Sequence, residues 1–300
     1  MSDRPVPPVG VPSAVSAQAL GGSPPQVQRL VAFAEVPGGG NPAGVSIGRE
    51  LPTEAVMQRV AAEVGYSETA FLAPLEGRAH RIRYFSPMAE VPFCGHATIA
   101  GGVALAQRYG DGAFALHTNG GVVGVRTATI DERASATLTS LPARVEPAPQ
   151  TLVARALQTL RWKLAELDGA LLPALAFAGA WHLILCVGRR ERLAALDYDF
   201  HALRGLMLEH GLSTLQLVWR ETADLFHVRD PFPVGGVVED PATGAAAAAF
   251  GAYLRDRHGL RAPARVTLRQ GEDMGRPSRL DVELVRNEPG VLVTGRVMAI

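Results

Sequence analysis

Residues 92–110 read PFCGHATIAGGVALAQRYG, and residues 241–259 read PATGAAAAAFGAYLRDRHG. At a fixed offset of 149 residues, Pro92 and Pro241, Gly95 and Gly244, Ala97 and Ala246, Ala100 and Ala249, Gly102 and Gly251, Leu105 and Leu254, Arg108 and Arg257, and Gly110 and Gly259 coincide. Just upstream, Glu90 and Glu239 coincide as well. Each copy is a glycine-containing turn that opens a helix. In the first helix Ala97, Ile99, Ala100, Val103, Ala104 and Leu105 cover nearly every direction, and Ala245 to Phe250, Ala252, Tyr253 and Leu254 do the same in the second. A helix that is apolar all round must be enclosed, and small residues let a surrounding backbone come close. In a chain dominated by strand patterns, the economical enclosure is a curved sheet. The expected fold class is therefore α+β: two pseudo-symmetric domains, each a mostly antiparallel curved sheet wrapped around one central buried helix.

The rest of the pattern supplies those sheets. Strands are expected at 27–33, 45–47, 67–72, 79–85, 114–117, 122–126 and 135–138, with 38–45 as a turn-rich loop before the short second strand. A helix at 53–64 starts on Thr53 as N-cap and closes at Gly65. The second half repeats the plan, with helices at 151–166, 200–210 and 244–257 and strands at 182–187, 215–218, 224–229, 264–269, 279–284 and 291–297. The first domain is expected to span 27–130 with a C-terminal strand near 290–300, and the second 131–289. Residues 1–26, rich in Pro, Gly, Ser and Ala, read as a disordered tail.

Composition removes several classes of function. The formal net charge is zero, which argues against nucleic acid or an anionic membrane surface as the main partner. No apolar run is long enough to span a bilayer. Cys94 and Cys186 imply no disulfide framework, and the expected compartment is the cytoplasm. Lys163, the single lysine, lies in a solvated helical pattern, so chemistry through a lysine Schiff base is not expected. No HxH, HExxH or CxxC spacing occurs, and no metal is expected. GGGNPAG lacks the lysine of a phosphate-binding loop.

Helix N-termini carry free N–H groups and a partial positive charge, so two matching tips suit an anion held between the halves; a purely structural duplication would look the same. Cys94 and His96 flank the first tip and Asp240 precedes the second. Glu68, in SETAF, sits within or beside a strand that could face the same cleft. Proton transfer near neutral pH needs one or two groups able to take and return a proton, and a carboxylate among apolar neighbours is suited to it. Each residue also has a plainer role. Glu68 could be a solvated strand residue, His96 a cap-region donor, Asp240 an Asx-Pro N-cap, and Cys94 a small buried apolar group or a low-pKa thiolate. Cys186, in the apolar run LILCV, reads as core.

Five segments in one order, AFAEVPGGGNPAGV (32–45), SETAFL (67–72), RYFSPMAEVPFCGHAT (83–98), EDPATGAA (239–246) and QGEDMGRPSRL (270–280), closely resemble the PhzF family of phenazine-biosynthesis-like isomerases, a branch of the diaminopimelate-epimerase-like fold. The resemblance covers residues 27–300. It implies an isomerase of a small carboxylate, with no cofactor, assembled as a homodimer. Glu68 matches the family's proton-shuttling glutamate, His96 the cleft histidine and Asp240 the cleft aspartate. Gly95 and Gly244 match the glycines whose turns bring N–H groups to the substrate carboxylate, and Asn41, Ser67, Cys94, Thr243 and Ala245 complete the expected substrate site. Two positions depart from the phenazine enzyme: Ala245 stands where it has Ser, and Cys94 precedes Gly-His. The phenazine substrate therefore does not carry over with the family. Related racemases use one cysteine from each half, but Cys94 pairs with Thr243 under the offset, which disfavours a symmetric two-thiol mechanism. An unequal pair of Cys94 and Glu68, giving an epimerase or racemase, and a non-catalytic metabolite-binding member are the alternatives.

Overall fold

The computed structural model describes residues 25–300. The expected tail lies outside the described residues except for its last two positions. The first half comprises β1 (Gln28–Ala32), β2 (Asn41–Ile47), α1 (Glu54–Val64), β3 (Glu68–Pro74), β4 (Ala79–Phe85), β5 (Glu90–Val91), α2 (Gly95–Tyr109), β6 (Ala113–Thr118), β7 (Gly121–Ile130) and β8 (Arg133–Thr139). There follow β9 (Arg144–Pro147), α3 (Gln150–Thr159), β10 (Ala174–Phe177), β11 (Trp181–Val187), α4 (Arg190–Ala194), α5 (Phe200–Glu209), β12 (Leu212–Arg220), β13 (Leu225–Pro231), β14 (Glu239–Asp240), α6 (Gly244–His258), β15 (Ala264–Gln270), β16 (Ser278–Leu284) and β17 (Leu292–Ala299).

The first sheet closes on itself. β1 pairs with β2, β2 with β3, β3 with β4, β4 with β6, β6 with β7, β7 with β8, β8 with β17 and β17 with β1. Only β2–β3 and β4–β6 run parallel in this ring. The second sheet repeats the order as β9, β10, β11, β12, β13, β15, β16 and β17, with β11–β12 and β13–β15 parallel. β17 serves both sheets: Leu292 to Thr294 pair with β16, while Val297 to Ala299 pair with β1. The helix-in-sheet architecture inferred from the two apolar helices is the one the chain adopts.

Burial explains why those helices carry no polar face. α2 is buried from Gly95 to Leu105, and α6 from Gly244 to Leu254. Gly102 and Gly251, equivalent in the repeat, mark the closest approach of helix to wall. A Cβ there would lie 2.5 Å from Val125 Cγ1 in the first half and 2.6 Å from Val282 Cγ1 in the second. One core cluster surrounds both helices, drawing Ala70, Leu72 and Ile82 from one sheet and Ile184, Val218 and Phe226 from the other. The outer faces of the sheets are covered separately, β3 and β4 by α1, and β11 and β12 by α3 and α5. The matched glutamates have a structural reason. Arg83 grips Glu90 through two N–H···O bonds of 2.7 and 2.6 Å, and Arg229 grips Glu239 in the same way at 2.9 and 2.5 Å. Each forked pair ties the turn before a central helix to the neighbouring strand.

Several local expectations need correction. The expected loop at 38–45 is strand β2 from Asn41 onward, pairing with β1 across its whole length; NPAGV reads as a turn, but its residues are buried between two strands. The helix expected at 151–166 stops at Thr159, where Arg161 takes a left-handed φ of 55°, and Lys163 precedes a short 3₁₀ turn. Thr53 occupies the N-cap of α1 without a side-chain cap bond. Strands β9 and β10 and helix α4 had no expectation at all. Cys186 is buried core, as its apolar setting suggests. No helix among the described residues is long and apolar enough to cross a membrane.

Candidate active site

The two central helices meet end to end. A Cβ on Gly95 would lie 3.2 Å from Ala245 N and 3.2 Å from Gly244 Cα; one on Gly244 would lie 3.3 Å from Phe33 Cζ and 3.6 Å from Gly95 Cα. A side chain at Gly95 would press on the backbone of the other tip, whereas one at Gly244 would press on the Phe33 ring and meet the first tip at ordinary contact distance. The first bonds inside the helices are donated by Thr98 to the Cys94 carbonyl and by Ala247 to the Thr243 carbonyl. The N–H groups ahead of them point out of the helix ends, adding two partial positive charges where the halves touch. Cys94 and Thr243 are the N-cap residues of α2 and α6, equivalent as the repeat implies.

β3 delivers Glu68 to this place. Ala70 and Leu72, on its side of the strand, belong to the core around α2, while Phe71 belongs to the cluster under α1. With period-two alternation Glu68 faces inward, and it is 6% exposed, which sets aside the solvated-strand role. His96, at the second position of α2, places Nε2 3.3 Å from Glu68 Oε2 and 3.3 Å from Ser67 Oγ. The amide nitrogen of Asn41 lies 3.1 Å from His96 Nδ1 and donates to Asp240 Oδ1 at 2.8 Å and to the Ala242 carbonyl at 3.1 Å. Both hydrogens of the Asn41 amide are thus engaged by Asp240 and Ala242, and His96 turns Nδ1 toward Asn41 and Nε2 toward Ser67 and Glu68. Cys94 Sγ sits 3.3 Å from His96 Nδ1.

Asp240 is not an N-cap. Its Oδ2 accepts from the Thr243 hydroxyl at 2.6 Å and its Oδ1 from Asn41, so the carboxyl lies between the cap residue of α6 and the Asn41–His96 pair. Burial pushes Asp240 up to about 6, with His96 and the Thr243 hydroxyl pulling the other way. Burial, and next the charge of Glu68, push the Cys94 thiol well above its usual range. Cys94 is thus a protonated, buried thiol and not a low-pKa thiolate, despite its helix-tip position. Glu68, Cys94 and His96 offer ligand atoms all within 4.8 Å of one another. A soft divalent ion would fit that donor set, although it would have to displace the thiol proton.

All ten residues expected at the site come together. Ser67, Glu68, Cys94, Gly95, His96, Asp240, Thr243, Gly244 and Ala245 line one cavity of about 690 Å³, and Asn41 backs it through its bonds to His96 and Asp240. The C-terminal motif supports the site without lining it. Gln270 donates to the Asp240 carbonyl at 2.8 Å and to Thr243 Oγ1 at 3.0 Å, and accepts from Thr243 N at 3.0 Å. Arg276 donates to the Gly40 carbonyl at 3.0 Å and so braces the turn before β2.

Three buried polar residues went unnoticed in the sequence: His182, Gln216 and Asp230. Asp230 lies directly opposite Asp240 in the β13–β14 pair and is fully buried; neither oxygen has a hydrogen-bond partner among the described residues. Burial, with Asp240 adding to it, pushes this carboxyl well above the usual range. The strand expected at 224–229 ends one residue short of Asp230, whereas the observed strand runs on to Pro231.

Two closed or nearly closed sheets, each holding a helix, with both helix tips meeting over an enclosed carboxylate and imidazole, define a protein of the diaminopimelate-epimerase-like class. Within that class the chain belongs to the phenazine biosynthesis-like protein family (PhzC-PhzF), whose model matches residues 30–300. It is 33% identical over 274 residues to an uncharacterized isomerase of Mesorhizobium japonicum, covering 86% of this chain and 89% of that one. It is 31% identical over 262 residues to the trans-2,3-dihydro-3-hydroxyanthranilate isomerase of Pseudomonas fluorescens, covering 82% and 86%. Among solved structures, one from Pseudomonas aeruginosa designated a predicted epimerase superposes with a TM-score of 0.80 at 28% identity, covering 92% of this chain and 97% of that one.

Proposed function

We propose that the protein is an isomerase that moves a proton within a small carboxylate substrate, with Glu68 as the acid–base group. The observation that carries this is the convergence of Glu68, His96 and Asp240 beneath two abutting helix tips. The relatives named as isomerases support the reaction class. In this scheme the outward N–H groups at Gly95 and Gly244 hold the carboxylate and stabilise charge that spreads into it as a proton leaves the adjoining carbon. Glu68 takes that proton and returns one at another position. His96, with Nε2 3.3 Å from Glu68 Oε2, orients that carboxyl between transfers. Asp240 holds the Thr243 cap and Asn41 in place and, near its elevated pKa, is able to accept or supply a proton itself.

No cofactor is needed for such a transfer. A cytoplasmic homodimer acting on a small molecule, and not on nucleic acid or a membrane, is part of the same proposal. It rests on the family resemblance, the neutral charge and the two unpaired cysteines. The test is a heavy-water exchange screen over amino, hydroxy and cyclohexadiene carboxylates, read by mass spectrometry. Deuterium uptake at carbon in one class is expected. Tight binding of a carboxylate with no exchange in any class would point to a metabolite-binding protein instead.

A second assignment has one observation in its favour: Cys94 Sγ lies within reach of the same acid and imidazole. For the product to be an epimer, the protonated thiol and Glu68 would flank the reacting carbon, which requires their ligand atoms, within 4.8 Å here, to separate as substrate enters. Cys94→Ala separates the two. An unchanged exchange rate leaves Glu68 alone in the role, and loss of exchange at only one face of a stereocentre establishes the pair.

A further inference from the structure

The cavity above Glu68 is much larger than a carboxylate needs, and its outer part is largely apolar, with Ser213 and the exposed Arg204 as polar members. Phe93 comes from the first half, while Met207, Leu212, Phe232 and Val234 come from α5, β12 and the turn after β13. A volume of about 690 Å³ is in the range of pockets that enclose a ligand with a substantial body. One buried side chain interrupts this wall. His182, 1% exposed, lines the cavity from the inner face of β11. Its neighbours on that face, Ile184 and Cys186, belong to the core around α6, whereas Leu183 and Leu185 face α3 and α5.

His182 Nδ1 is engaged with Thr214 Oγ1 at 2.8 Å, across the β11–β12 register, but Nε2 has no hydrogen-bond partner among the described residues. A buried imidazole nitrogen left unpaired costs about 1–3 kcal/mol, and such groups in folded proteins normally meet a partner. Burial pushes His182 down to about 3, so the ring is neutral over the physiological range. Thr214 makes no other side-chain bond that would fix the direction of its hydroxyl. Nε2 therefore either donates or accepts, depending on the tautomer, and a hydroxyl, which does both, satisfies either case.

We propose that His182 is a specificity-determining residue, and that the substrate is a carboxylate with an apolar body and a distal hydroxyl that hydrogen-bonds His182 Nε2. The body lies along Phe93, Met207 and Phe232 while the carboxylate occupies the helix tips. The proposal rests on the assignment of those tips as the carboxylate site and adds the far end of the ligand. The contact with His182 requires no charge on that end, since burying an ion against a neutral ring is costly; the charged Arg204 of the same lining stays exposed to water.

The test is calorimetric binding of 3-phenylpropanoate and its 2-, 3- and 4-hydroxyphenyl analogues to the full chain, which samples the distance without requiring turnover. At least one hydroxylated probe should bind wild type about tenfold or more tightly than the parent acid, as one satisfied buried hydrogen bond implies. His182→Phe should abolish that preference, the parent and hydroxylated acids then binding alike. Thr214→Val, which frees the tautomer but spares the ring, should retain it in reduced form and guards against a folding defect in the first variant. Binding of the parent acid with no preference among the hydroxylated probes in wild type, or a preference that survives His182→Phe, would overturn the proposal and leave the carboxylate site standing. Failure of every probe to bind wild type, or binding of the parent acid that Gly95→Ala leaves unchanged, would overturn both.

Discussion

Asp240 offers a prediction in which the structure supplies both sign and size. Its carboxyl is buried beneath α6, and burial raises it from an ordinary 3.8 to about 6. Between those values the folded protein keeps a proton that the unfolded chain has released, so stability falls as pH rises. The favourable contribution is complete below pH 3.8 and is lost as pH passes through 6. At about 1.36 kcal/mol per pH unit, the loss is about 3 kcal/mol. Asp240→Asn cannot titrate and escapes it. The variant loses part of the bonding from Asn41 and Thr243 at every pH, a constant offset. What changes is the difference between the two proteins. Measured by urea denaturation at pH 4, 5, 6 and 7.5, that difference should move in favour of the variant by about 2.4 kcal/mol from the lowest pH to the highest, part of the full loss having occurred below pH 4. Asp230, held protonated by burial in both proteins, contributes a slope that largely cancels in the comparison. A difference that stays flat across the range would refute the claim that Asp240 is a buried acid titrating near 6. The functional corollary is that a site suited to proton transfer is maintained at a cost in stability.

Gly95→Ala should lower turnover about 100-fold while costing about 1–3 kcal/mol of stability, because its Cβ would press on the backbone of Gly244 and Ala245 and part the two tips; thermal unfolding with an exchange assay checks both, and full activity would show that the tips need not touch. Arg229→Met removes the forked partner of Glu239, which is 7% exposed. It should destabilise the fold by about 3–5 kcal/mol in denaturant titration, and a loss under about 1 kcal/mol would mean the pair is better hydrated than its burial implies.

The sequence was most legible where one physical constraint acted alone. α2 and α6 announced themselves because a helix without a polar face has few places to go, and their tips followed from Gly95 and Gly244. The residues at the tips were legible because the two turns repeat. Glu68 was harder: every residue from Glu68 to Ala73 is buried, with α2 behind the strand and α1 in front. Period-two alternation is erased there, and only the family resemblance placed it. β2 was misread because Asn41, Pro42 and Gly44 are turn formers individually, while their burial between β1 and β3 is a tertiary fact. Asp230 and Gln216 were invisible for a related reason. Their polar character predicts exposure, and only the folded sheet shows that both are fully buried. His182, at the mouth of an apolar strand, looked like a strand boundary instead of a buried polar group in a cavity wall.

The central claim is that one enclosed carboxylate carries hydrogen within a carboxylate bound at the helix tips. Glu68→Gln tests it most directly, since the amide keeps the shape but cannot take a proton. On the substrate identified by the exchange screen, single-turnover deuterium incorporation should fall by a factor of about 100 or more, with the melting temperature and the affinity for the carboxylate preserved. Incorporation at the wild-type rate in a folded, binding-competent variant would contradict the account.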